Sequence, residues 1–121
     1  MNRDELNFVY GWKSIRKRAY DSALAKGFHA AQALLPIEIL TNCLKLFLIV
    51  SELVEAFEAI RKGNPPDKHL PQYSNFAVEL ADAAIRIADL AEVNGIPLEE
   101  IMLAKMDYND GRPQMHGDKL F

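Results

Sequence analysis

Two pairs of acidic residues are the part of this sequence best suited to chemistry. Glu52 and Glu55 are three residues apart, and so are Glu79 and Asp82. Residues three apart lie on the same face of a helix, so each pair can direct two carboxylates toward one ion. Carboxylate oxygens are ligands that Mg²⁺ prefers. The spacing therefore indicates a site for divalent cations between two helices.

Such a site would suit the hydrolysis of a phosphoanhydride. Two metal ions would bridge phosphate oxygens, lower the pKa of a bound water and stabilise charge on the leaving group. The sequence indicates no protein nucleophile, so attack by a metal-activated water is expected. One alternative is open at this point, because the acidic pairs are also compatible with the solvated faces of two amphipathic helices. A di-iron or di-manganese bundle is not indicated, because it would use Glu-x-x-His pairs, which do not occur here.

Four helical segments are predicted to position these acids. Gly27 and Gly63 are expected to stop the first two helices, Ser74 is expected to cap the third, and Pro97 is expected in the first turn of the fourth. The segments cover residues 6–26, 36–63, 74–94 and 97–109. The acidic pairs fall on the second and third segments, and the proline-containing stretch 64–71 links them.

The second predicted helix is apolar around most of its circumference. Its apolar positions cover about 220°, at 100° per residue, which is more than one core-facing stripe. It must therefore bury more than one face. We expect an all-α, four-helix bundle-like fold whose core is completed by homodimerisation, as a homodimer or a dimer of dimers.

Length, charge and cysteine content limit the other possibilities. At 121 residues the chain is expected to be one domain, 1–121, with a C-terminal tail from about residue 110. A net charge of −3 gives no attraction to a nucleic-acid duplex. The most apolar stretch, 44–50, contains Lys45 and is too short to cross a bilayer. No secretion signal is apparent, and the lone Cys43 fits a reducing, cytoplasmic location but has no neighbour in sequence that would activate it.

The order of these elements resembles the all-α nucleoside triphosphate pyrophosphatase superfamily, which includes MazG-like proteins, dimeric dUTPases and phosphoribosyl-ATP pyrophosphatase. That family carries Glu-x-x-Glu on one helix and Glu-x-x-Asp on the next. Here "SELVEAFEAIRKG" is similar to the first part, and "VELADAAIRIADLAEVNGIPLEEIMLAK" to the second. The stretch "NGIPLEEIMLAKMDYNDGRP" resembles the short helix and Lys-x-x-x-Asn-x-x-Arg ending of the family. Ser51 departs from relatives that begin Glu-Glu-x-x-Glu, which leaves the number of metals open.

The resemblance assigns roles to individual residues. It implies that Glu52, Glu55, Glu79 and Asp82 hold the metal. Other residues are expected to contact the phosphates, namely Lys105, Asn109 and Arg112, with His116 and Lys119 closing over them from the tail. The alternative interpretation of Lys105 and Arg112 is capping of the helix end by cations. The alternative interpretation of the tail is an ordinary packed or partly ordered terminus. Glu55 or Glu58 is expected to orient or deprotonate the water, and Glu58 is equally compatible with solvated surface.

The expected function is that of a Mg²⁺-dependent pyrophosphohydrolase, with Mn²⁺ as a possible substitute. It would cleave a nucleoside triphosphate between the α and β phosphates, giving monophosphate and pyrophosphate in house-cleaning of the nucleotide pool. The alternatives are a phosphoribosyl-ATP-type pyrophosphatase and a non-catalytic helical dimer acting as a regulatory interaction module. The base-contacting residues stay open, and four aromatic or imidazole side chains are candidates: Trp12, Phe28, His29 and Tyr73.

Overall fold

The protein is all-helical over residues 2–113, the part of the chain that the computed structural model describes. Five α-helices follow one another in this part: α1 (Arg3–Ala25), α2 (Phe28–Ala33), α3 (Ile37–Arg61), α4 (Asn75–Val93) and α5 (Leu98–Asp110). Extended pairing within these residues is limited to an isolated bridge between Pro66 and Ser74. The predicted all-α class is confirmed.

The prediction of four helical segments was one helix short. Helix α2 has six residues, which is less than two turns, so it carries no readable apolar periodicity. Gly27 separates it from α1 because its φ of 76° lies in the left-handed region, where a side chain would be strained. The other four segments correspond to α1, α3, α4 and α5, with ends that differ by a few residues.

The chain divides into two compact units, Met1–Leu40 and Thr41–Phe121, and the boundary falls in the first turn of α3. In the N-terminal unit, a capping box between Asn2 and Glu5 begins α1. The rings of Tyr20 and His29 lie 5.0 Å apart. No described residue of α1 or α2 is buried. The expected single-domain organisation stays a prediction.

In the C-terminal unit, α3 and α4 form an antiparallel pair. Asn42 near the start of α3 exchanges two side-chain hydrogen bonds with Asn94, which follows α4. At the other end, the carbonyl of Pro65 accepts a hydrogen bond from the Asn75 amide, and the Asn64 side chain accepts one from the Phe76 amide. These contacts close the linker and set the register of the two helices.

Small side chains dominate the buried surface. Among the described residues, the buried apolar side chains are Ile49, Ala56, Ala59, Ala83 and Ala91. Because alanine side chains are short, polar and charged side chains make several of the contacts between α3 and α4. Large apolar side chains on α3 stay exposed, for example Phe47 at 74%. None of the described helices combines the length and apolar character needed to cross a membrane.

Candidate metal centre

Three carboxylates from two helices converge in the C-terminal unit. Glu52 and Glu55 lie one turn apart on α3, and Glu79 lies opposite them on α4. One oxygen from each carboxylate lies within 4.8 Å of the other two. We call these three residues the acidic cluster. The i, i+3 spacing on α3 and the antiparallel register together produce this convergence.

Glu52 is the buried member of the acidic cluster. Its side chain is 10% exposed, and its Oε1 accepts a hydrogen bond of 2.6 Å from Nε of Arg86 on α4. A buried carboxylate is costly without a partner, so this charged pair compensates the burial. Arg86 itself is 42% exposed, so its guanidinium also reaches solvent.

Glu79 is the member with the strongly altered acidity. Burial, then the charge of Glu55 and hydrogen bonding to Glu52, raise the pKa of Glu79 to about 7 from its ordinary value of 4.5. Carboxylates this close share a proton because two like charges cannot both be ionised cheaply. Near neutral pH, Glu79 therefore exchanges a proton readily, and a cation would compete for its position.

A polar hollow of about 320 Å³ opens beside the acidic cluster. Its lining consists of Glu55, Glu58, Ala59, Lys62, Asn75 and Glu79. Two cluster carboxylates thus face a space large enough for a small polar ligand. Lys62 is the only cation among these lining residues, and its exposed ammonium suits a phosphate.

The donor set of the acidic cluster fits a hard divalent cation. Glu52, Glu55 and Glu79 offer oxygen ligands without histidine or cysteine, which is typical of Mg²⁺ or Mn²⁺ sites and not of zinc. Metal–oxygen bonds of about 2.1 Å place octahedral ligands about 3 to 4.2 Å apart. Oxygens within 4.8 Å need only a small inward movement to reach that geometry.

Asp82, the fourth predicted metal ligand, is not in the acidic cluster. It is half-buried and lines a separate, mostly apolar hollow of about 320 Å³, together with Leu70, Tyr73, Ala77, Val78, Ala81 and Ile85. A step of three residues leaves an offset of about 60° around a helix. Helix α4 is rotated so that Glu79 faces α3 while Asp82 is turned toward this second hollow. The metal role of Asp82 stays a prediction.

Glu58 lies at the edge of the candidate centre. It lines the polar hollow, but its Oε1 accepts a 2.7 Å hydrogen bond from Arg61 one turn further along α3. Its carboxylate is thus near the acidic cluster without belonging to it. That position is compatible with the predicted handling of a water molecule, which remains a prediction.

Two of the predicted phosphate-binding residues, Lys105 on α5 and Arg112 just after it, lie beside one aromatic ring. The ammonium of Lys105 lies 4.4 Å from the ring centre of Tyr108, and the guanidinium carbon of Arg112 lies 5.8 Å from it. Asn109 is exposed on the same helix. No hydrogen bond or ion pair among residues 2–113 joins these three side chains to the acidic cluster. His116 and Lys119 lie outside the described residues.

The candidate base-contacting residues fall into both units. Trp12 and Phe28 are more than half exposed in the N-terminal unit, where His29 contacts Tyr20. Tyr73 belongs to the C-terminal unit and lines the apolar hollow beside Asp82. Of the four candidates, Tyr73 is therefore the one that lies next to a predicted site residue, Asp82.

Sequence reasoning did not assign roles to Arg86, Lys62 or Asn75. Arg86 is seven residues after Glu79, a spacing that returns to nearly the same helix face, so the pattern contained a signal for it. Lys62 is seven residues after Glu55 and carried the same signal. Asn75 was recognisable only as a polar residue one turn before Glu79.

Comparison with known proteins adds no family to this description. Neither the protein family models, nor the curated proteins, nor the solved structures gave a match to this chain.

Proposed function

We propose that this protein is a Mg²⁺-dependent nucleoside triphosphate pyrophosphohydrolase whose centre is the acidic cluster. The observation that carries the proposal is the convergence of Glu52, Glu55 and Glu79, with one oxygen of each within 4.8 Å of the others. Carboxylates that converge in this way repel one another unless a cation or a shared proton reduces their charge, and this supports a cation-binding role. The resemblance of the sequence to the all-α pyrophosphatase superfamily supports the choice of reaction.

In this proposal, a bound Mg²⁺ or Mn²⁺ would polarise the phosphate oxygens and increase the acidity of an attacking water. Glu52, Glu55 and Glu79 would hold the cation. Asp82 lines the separate apolar hollow and would have to turn toward the acidic cluster to add a ligand. The water oxygen bonds to one phosphorus atom of the α–β anhydride while the bond from that phosphorus to the bridging oxygen breaks. Glu58 or Glu55 accepts the proton of the water, and the products are nucleoside monophosphate and pyrophosphate.

The hollow beside the acidic cluster supplies a place for the polyphosphate. Lys62 lines it and offers a positive charge next to the carboxylates. Further phosphate contacts are proposed to come from Lys105 and Asn109 on α5 and from Arg112 just after it. Because none of them contacts the acidic cluster within the described part of the chain, the substrate or a second copy of the chain would have to connect them.

A homodimer or dimer of dimers is part of the proposal. Large exposed apolar side chains run along α3, among them Leu44, Phe47, Val54 and Phe57. An apolar surface of this extent is unfavourable in water and is typical of a face that another subunit covers. A second copy would complete the small alanine-rich core of the C-terminal unit.

A hydrolysis screen tests the proposed reaction. Common and modified nucleoside triphosphates are incubated with the protein and Mg²⁺ or Mn²⁺, and pyrophosphate is measured separately from orthophosphate. We expect pyrophosphate and monophosphate as the first products. Glu79→Gln should abolish turnover, while Glu92→Gln, a change at an exposed position on the same helix, should leave it unchanged. Orthophosphate as the first product would contradict the α–β cleavage.

The same screen separates the alternatives. A phosphoribosyl-ATP-type enzyme would hydrolyse that substrate and leave ordinary triphosphates intact. A non-catalytic interaction module would hydrolyse neither, and its Glu79→Gln variant would behave like the parent protein.

A further inference from the structure

Arg86 is the cationic partner of the acidic cluster. Of the ion pairs formed within residues 2–113, the pair between Arg86 and Glu52 is the one that reaches a cluster carboxylate. Its Nε donates to Oε1 of Glu52 at 2.6 Å, across the interface between α3 and α4. The contact thus links the buried end of the acidic cluster to the opposite helix.

The pair with Arg86 engages one oxygen of the Glu52 carboxylate. Oε1 accepts the hydrogen bond from the guanidinium, and the same carboxylate also shares a hydrogen bond with Glu79, another member of the acidic cluster. Because the Glu52 side chain is only 10% exposed, it has little room to rotate toward solvent. A carboxylate fixed through one oxygen presents the other oxygen in a defined direction.

We propose that Arg86 is a positioning residue for the metal site, which holds Oε1 of Glu52 so that Oε2 ligates a divalent cation together with Glu55 and Glu79. The inference rests on the proposed function, because it concerns the same site. Hydrogen-bond partners of ligating carboxylates commonly act in this way, and their loss weakens metal binding by about 10- to 100-fold.

Arg86 also brings a positive charge toward the cation. Repulsion between these two charges weakens metal binding and so opposes the orienting effect. The Arg86 side chain is 42% exposed, so water and salt screen much of the repulsion between Arg86 and the cation. The orienting contact acts on a buried carboxylate, where little screening is possible. The orienting effect therefore dominates, and removing Arg86 weakens metal binding.

Binding of Mn²⁺ without nucleotide tests this inference by a readout that is independent of turnover. The full chain, Arg86→Gln, Arg86→Lys and the control Lys45→Gln are titrated with Mn²⁺ by calorimetry or by the loss of the free-ion electron paramagnetic resonance signal. Lys45 is a matched control because it also forms an ion pair between α3 and α4, with Asp89 at 2.5 Å, without contacting the acidic cluster.

Arg86→Gln should raise the Kd for Mn²⁺ by about 10- to 100-fold, in line with the loss of an outer-sphere partner. Arg86→Lys should raise it by a smaller factor, because an ammonium keeps the charge but lacks the planar fork of the guanidinium. Lys45→Gln should stay close to the parent value. If Arg86→Gln does not fold, the Kd of Arg86→Lys for Mn²⁺ tests the inference instead.

An Arg86 variant that binds Mn²⁺ as tightly as the parent, or more tightly, would overturn this inference and leave the proposed metal site standing. A parent protein that binds no Mn²⁺ would overturn the proposed metal site and the role of Arg86 with it.

Discussion

The Glu79 carboxyl is both buried and close to two other carboxylates, and both effects raise its pKa. Burial, the charge of Glu55 and hydrogen bonding to Glu52 raise its pKa to about 7. The same carboxyl group in the unfolded chain ionises near 4.5. Folding therefore favours the protonated form of Glu79 between these two values.

The raised pKa predicts how stability without metal depends on pH. The favourable contribution of Glu79 is fully present below pH 4.5 and is lost as the pH rises through about 7. Glu79→Gln keeps an uncharged side chain at all pH values. In EDTA, the stability advantage of the variant over the parent protein should be small at pH 5 and larger at pH 8, as measured by urea unfolding. A stability difference that does not change over this pH range would contradict the coupling of the three carboxylates.

Lys105 and Arg112 are expected to act on substrate and not on folding. Lys105 is exposed, and both cations contact only the ring of Tyr108 among the interactions described for their side chains. Lys105→Ala and Arg112→Ala should lower kcat/KM by at least about tenfold, because each loses a charge-assisted contact to phosphate. Their melting temperatures should remain within a few degrees of the parent value. Parent-like kinetics for both variants would remove the phosphate role.

At the level of helices, side-chain pairs hold α3 against α4 with little apolar burial. Asn42 and Asn94 exchange hydrogen bonds of 2.8 and 2.9 Å, and Asn94 also donates to the carbonyl of Leu90. The ion pair between Lys45 and Asp89 lies one helical turn further along α3. The asparagine pair helps to fix the register that brings Glu79 opposite Glu52 and Glu55.

A double-mutant cycle tests the asparagine pair. Asn42→Ala should cost about 1 kcal/mol of unfolding free energy, because two exposed hydrogen bonds are lost. Asn94→Ala should cost somewhat more, because it also loses the bond to Leu90. The double variant should be less destabilised than the sum by at least about 0.5 kcal/mol, since the two residues share their bonds. Additive effects in urea unfolding would show that the pair does not stabilise the register.

Much of this helix arrangement was readable from the sequence. Ser74 does cap α4 through the Ala77 amide, and Gly63 and Gly95 adopt positive φ where helices were predicted to end. The spacing of Glu52 and Glu55 correctly indicated a shared face. The rotation of α4, which separates Asp82 from Glu79, was not readable, because it depends on how α4 packs against α3. The ion pair of Arg86 with Glu52 depended on the register between helices, which periodicity within one helix cannot supply.

For the whole molecule, the imbalance between buried and exposed apolar surface is the dominant feature. The buried core of the described residues consists of one isoleucine and four alanines, whereas Phe47, Val54 and Phe57 on α3 are each at least half exposed. Burial of a large apolar side chain stabilises by about 1.5 to 3 kcal/mol. We therefore expect self-association to cover part of this exposed apolar surface and to stabilise the folded chain.

This imbalance predicts association in solution. Light scattering at micromolar concentration should give the mass of a dimer or of a dimer of dimers. Phe47→Glu, which places a charge on the most exposed apolar position of α3, should shift the mass toward the monomer and lower the melting temperature. The exposed change Glu92→Gln should leave the mass unchanged. A stable, well-folded monomer of the parent protein would contradict the expected dimer.

The convergence of the acidic cluster on a cation is the central claim, and the thermal stability of Glu79→Gln against Mg²⁺ concentration tests it most directly. At pH 8 in EDTA, the variant should melt at a higher temperature than the parent, because one repelling charge is removed. Added Mg²⁺ should reverse that order, since a ligand at a hundredfold excess over its Kd stabilises the folded state by about 2.7 kcal/mol. Glu92→Gln should follow the parent curve throughout. Parallel curves for the parent and Glu79→Gln, with no crossing as Mg²⁺ is added, would contradict the metal site.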